Sequence, residues 1–118
     1  MNDTMNKNEQ ALAKKIGATL VLKGIANKYI ACFDKKCVIG LEKSFLQKGM
    51  SSDFSYKNLR QVTLAPSRGA LMSGYIHLNV GGGDSPGVSG LIINGLNPNT
   101  VMFRKQGNNI AEEIKSFL

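Results

Sequence analysis

What most constrains this chain is a change of period. Between residues 29 and 104 it carries run after run of β-type residues separated by turn residues, with no stretch of helical spacing among them; only after Gly107 do Ile110, Ile114, Phe117 and Leu118 recur at the interval of an amphipathic helix. Parallel strands need a long, usually helical, crossover. The order of elements therefore excludes a parallel βαβ fold. It calls for a mainly β domain of about seven short antiparallel strands, a bent sandwich or partly open barrel, with Ile110, Ile114 and Phe117 packed over an open end. At 118 residues there is chain enough for one such core and not for two.

The runs can be placed individually. Tyr29-Ile30-Ala31-Cys32-Phe33 and Cys37-Val38-Ile39-Gly40-Leu41 flank Asp34-Lys35, and a two-residue turn there pairs Phe33 with Lys36 and sets Cys32 opposite Cys37. Further strands are expected over 52–55, 60–64, 75–80, 88–93 and 100–104, with a turn at 56–59 and a flexible glycine-rich loop at 81–87. In the 75–80 run, alternation sends Ile76, Leu78 and Val80 to one face and Tyr75, His77 and Asn79 to the other, which makes His77 a surface residue. This run and its loop are also one candidate for a free edge able to pair with another chain, although nothing in one sequence shows which strand is free. Asn109, with Glu112 three residues on, is the expected cap of the final helix. Residues 8–16 read as a short helix, marginal alone, and 18–22 as a connecting strand or irregular lead-in. The organisation is then an N-terminal extension, 1–17, before a domain of 18–118.

Four stretches together resemble the bacterial pleckstrin-homology-like domains: the Asp34 hairpin ending in Val38-Ile39; Phe54-Ser55-Tyr56-Lys57-Asn58-Leu59 with Val62 beyond; Ser73-Gly74-Tyr75-Ile76; and Asn99-Thr100-Val101-Met102-Phe103 leading into the last helix. The likeness spans roughly residues 20–118. It implies a bent sandwich closed by a C-terminal helix, a fold that hosts lipid, peptide and protein binding alike. It also implies where a phosphoinositide would sit, among basic side chains on the first two strands and their loop. Here that loop is only Asp34-Lys35-Lys36, followed by Cys37, Val38, Ile39 and Gly40, so the signature is absent.

The charge is +7, and most of it lies early: up to Arg60 there are 11 basic and 5 acidic side chains, beyond it 4 and 3. In an up-and-down meander every second turn falls at the same end, which gathers Lys35, Lys36, Lys57 and Arg60 and leaves Lys43 and Lys48 at the other. Those four are the candidate site for an anion or an acidic lipid surface, against the plainer reading of solvated turn residues. Nucleic-acid binding is disfavoured because Tyr29, Tyr56 and Tyr75, the aromatics left over from expected core positions, do not interleave with the cations along one strand.

Catalytic and metal chemistry is poorly supplied. His77 is the single histidine, the carboxylates are scattered, and Cys32 and Cys37 are too few for a thiolate zinc site. The 81–87 loop lacks the Gly-Lys-Ser/Thr of a phosphate loop, and Pro86 removes a donor. No catalytic residue, metal or cofactor is expected, and the two cysteines read as small core side chains. The polar N-terminus and the lack of a long apolar run point to a cytoplasmic protein. The expected role is non-catalytic binding or scaffolding, for a protein partner or a second copy; the alternative is peripheral attachment to an acidic membrane through the basic end.

Overall fold

A computed structural model of the chain describes residues 4–42, 49–69, 72–80 and 99–118. The described residues form seven antiparallel strands in two sheets with a helix at each end of the chain. The first helix, α1 (Lys7–Ile16), precedes a four-stranded sheet whose spatial order is its sequence order: β1 (Leu20–Lys23), β2 (Lys28–Cys32), β3 (Lys36–Leu41) and β4 (Met50–Ser55). A single 3-10 turn, Tyr56–Asn58, leads into the three-stranded sheet of β5 (Gln61–Ala65), β6 (Gly74–Asn79) and β7 (Thr100–Phe103). The second helix, α2 (Asn108–Phe117), closes the chain. The two sheets form a partly open sandwich capped by α2, and no closed barrel.

Strand alternation builds the core. Leu20, Leu22, Ile30, Cys32, Cys37, Ile39 and Phe54 face inward from the first sheet and Ile76, Leu78, Val101 and Phe103 from the second, all in one buried cluster with Ile110, Ala111 and Ile114 of α2. The β2–β3 hairpin has the expected register: the Phe33 N–H donates to the Lys36 carbonyl at 2.8 Å, and Cys32 pairs with Cys37. Both cysteines are buried free thiols. On one side the sheets close by direct approach of the backbone. A methyl group on Gly24, just after β1, would lie 2.2 Å from the Met102 carbonyl oxygen of β7, so a residue without a side chain is required there. On the other side β4 and β5 belong to different sheets and are connected through the Tyr56–Asn58 turn.

The helix α1 is part of the same packing. Asn6 caps it with a reciprocal box, its side chain accepting from the Glu9 N–H at 2.8 Å while the Glu9 carboxylate accepts from the Asn6 N–H at 3.0 Å. Gly17 ends the helix with a left-handed φ of 77°. Met5 and Ala13 are buried with the core, and the Thr4 hydroxyl donates to Glu113 of α2.

Five expectations are corrected. His77 is fully buried, its Nδ1 2.6 Å from the Thr100 hydroxyl, because both faces of β6 are covered at that point. Nor is β6 an edge: it pairs with β5 on one side and β7 on the other. Val80 lies just past the end of β6 and is 41% exposed, unlike Ile76 and Leu78. Phe117 is 40% exposed and rests edge-on against Tyr56, so Ile110, Ala111 and Ile114 make the lid without it. Asn109 does not cap α2, which grows out of the 3-10 turn Lys105–Gly107; its neighbour Asn108 instead clamps the β5–β6 connection through the Ser67 N–H and carbonyl at 2.8 and 2.9 Å. The expected strand at 88–93, the 81–87 loop, and Lys43 and Lys48 lie outside the described residues.

Candidate binding edge at β4

A sheet edge is reactive when its outward N–H and C=O groups lack partners, and hydrogen-bond alternation tells which groups those are. In β2–β3 the bonded pairs run through Phe33–Lys36 and Asn27–Glu42, whose N–H···O bonds are both 2.8 Å. Lys36, Val38 and Gly40 therefore point their backbone groups to β2, and Cys37, Ile39 and Leu41 point theirs to β4. Their partners Phe54, Ser52 and Met50 are thereby used. The backbone groups of Ser51, Asp53 and Ser55 face out.

The same alternation in β1 turns the N–H groups of Val21 and Lys23 outward, and there the molecule has covered its edge. The Val21 N–H donates to Sδ of Met5 at 3.3 Å and the Lys23 N–H to the Glu9 carboxylate at 2.8 Å. Glu9 is 4% exposed, so its charge is held by hydrogen bonds instead of water. The edge of β7 lies under Gly24, and α2 lies against β5. At β4 nothing comparable is present among the described residues: Ser51, Ser52 and Asp53 are exposed, and no described group bonds the outward amides of Ser51, Asp53 or Ser55.

Beside this edge, at the open seam between the sheets, is a depression of about 650 Å³. Asp53, Phe54 and Ser55 of β4 form one wall, Lys57, Asn58 and Arg60 the turn side, and Val80 the far side. Its electrostatics are one-sided. The Asp53 carboxylate is 3.0 Å from the Lys36 ammonium, whereas neither Lys57 nor Arg60 has an ion-pair partner among the described residues.

The four cations named from the sequence thus divide into two pairs. The turns that carry them meet, since the Tyr56 N–H donates to the Lys35 carbonyl at 3.2 Å. Lys35 and Lys36 sit on the hairpin, and Lys36 is engaged both by Asp53 and by the Phe33 ring, 5.6 Å from its centroid. Lys57 and Arg60 line the depression. The three tyrosines are half-buried, and the Tyr56 hydroxyl donates to the Phe33 carbonyl. The edge groups Ser51, Asp53 and Ser55 had no signal in the sequence, because an unpaired strand is a property of its neighbours. The protection of β1 had one: Asn6 and Glu9 at capping-box spacing.

Among the described residues no group of three or more His, Cys, Asp and Glu side chains is placed to hold a metal ion. Nor is any described helix long and apolar enough to cross a membrane. No family model, no curated protein and no solved structure matches the chain.

Proposed function

We propose that this chain is a non-catalytic binding or scaffolding module of pleckstrin-homology-like fold that takes a protein partner, or a second copy of itself, by strand addition at β4. The observation that carries the reading is the contrast between the two edges of one sheet. The β1 edge is sealed by Met5 and Glu9, while among the described residues the outward groups of the β4 edge have no partner and lie beside a depression. Unpaired edges invite aggregation, and an edge without described partners, in a sheet whose opposite edge is sealed, fits a docking strand. A bent sandwich closed by a C-terminal helix is also what the family resemblance implies.

The test is proline. Asp53→Pro deletes the central outward donor and leaves the ladder to β3 intact, and Asp53→Ala controls for the lost carboxylate. Concentration-dependent sedimentation and affinity capture should show an association that Asp53→Ala keeps and Asp53→Pro loses, with near-equal urea midpoints for all three proteins. An association indifferent to Asp53→Pro, or a wild type that associates with nothing, refutes strand addition.

A second reading, adhesion to an acidic membrane, is favoured by Lys35, Lys57 and Arg60 being exposed on adjoining turns. Each would contribute about 1 kcal/mol near an anionic surface. Co-sedimentation with phosphatidylserine vesicles that fades as salt is raised, and is lost on reversing these charges, is the expected result; no sedimentation at low salt removes it.

A further inference from the structure

The strand-addition reading leaves the chemistry of the added segment open, and the depression narrows it. Resting on that reading, we infer that β4 accepts an extended, acidic segment of another protein, one whose inward face carries an apolar side chain and, two residues along, a carboxylate.

An added strand would hydrogen-bond to Ser51, Asp53 and Ser55, and its side chains would alternate between the two faces of the sheet. Those on the inner face enter the depression beside β4. One level with Phe54 meets an apolar floor made by that ring and Val80. The next inward position, two residues along, lies past the end of β4, where Lys57 and Arg60 line the same depression. Their charges are uncompensated among the described residues, because Asp53, the one described carboxylate lining the depression, is already paired with Lys36 at 3.0 Å. A carboxylate at that position gains two cations and a lysine there is repelled by both. The overall charge of +7 steers an acidic segment in the same sense. A second copy of this chain is a poorer occupant, since β4 itself offers Ser52 and Phe54 on its inner face and no acid.

The probe is a capped, rhodamine-labelled peptide with Val and Glu alternating on one face and Thr on the other, compared by fluorescence anisotropy with the same peptide carrying Lys for Glu. The Glu peptide should bind at least about tenfold more tightly than the Lys peptide. Lys57→Glu with Arg60→Glu should invert that preference, Asp53→Pro should abolish binding, and Asp53→Ala should retain it. Equal affinity for the two peptides, or indifference to the double charge reversal, overturns the acidic segment, while continued loss with Asp53→Pro leaves docking at β4 standing. Charge-dependent binding that survives Asp53→Pro overturns both. Failure of the Glu peptide to bind overturns the inference as well. So does phosphatidylserine-vesicle binding that displaces the peptide and survives Asp53→Pro, since the cations would then serve a membrane.

Discussion

Raising the pH should unfold this protein early, and two residues set how early. Cys32 and Cys37 face each other across the β2–β3 hairpin with no exposed surface. Burial pushes each thiol up to about 12 from an ordinary value of 9.0, and at Cys32 the neighbouring Cys37 adds to the rise. In the unfolded chain both ionise near their ordinary value. Below about pH 9 the thiols are protonated in both states and stability is unaffected. Above it the unfolded state loses protons that the folded state keeps, so stability falls as pH rises toward 12. One unit above the unfolded value each thiol favours the unfolded chain by about 1.4 kcal/mol, or about 3 kcal/mol for the pair, equivalent to about 10 °C in Tm for a domain of this size. The assay is urea or thermal unfolding of wild type and of Cys32→Ala/Cys37→Ala from about pH 8 to pH 10. The double variant starts lower because packing is lost, but that offset is constant, and the lysines titrate alike in both proteins. The wild-type curve should therefore fall toward the variant's as pH rises. Parallel curves would show that the thiols ionise as readily in the fold as out of it, and the burial argument would fail.

Two further outcomes follow from the packing. Ile114→Ala, at a fully buried position of α2, should cost about 2 to 5 kcal/mol in a urea unfolding experiment, and a loss well under 1 kcal/mol would mean that α2 is no lid. Glu9→Ala should cost about 2 kcal/mol by leaving the amides of Asn6 and Lys23 without their acceptor, and should speed hydrogen exchange at Lys23; unchanged exchange there would contradict the sealing of β1.

Periodicity and turn chemistry carry far in this chain. The hairpin register at Cys32 and Cys37, the strands β2 to β7 and the terminal helix were legible because alternation at two and recurrence at 3.6 are local properties, whereas β1 was open between a strand and an irregular lead-in. Where reading by alternation failed, a neighbour decided. His77 has the pattern of a surface residue and is buried because β6 is central and covered on both faces, and Phe117 has the spacing of a core residue yet ends against Tyr56 at the rim. The basic turns were legible as a group, since meander parity brings Lys35 and Lys57 to one end. Their division was not: whether a lysine is paired or free depends on which carboxylate the register sets beside it, and Asp53 falls beside Lys36.

By itself, then, the sequence determined the β class, the antiparallel order, the positive charge and the amphipathic tail, all of which rest on residue types and their spacing along the chain. Tertiary structure alone decided that, among the described residues, the β1 edge has partners and the β4 edge has none. An edge exists only relative to what packs against it, and it took the folding of α1 onto β1 to seal one side of the first sheet while the outward groups of Ser51, Asp53 and Ser55 on the other have no described partner.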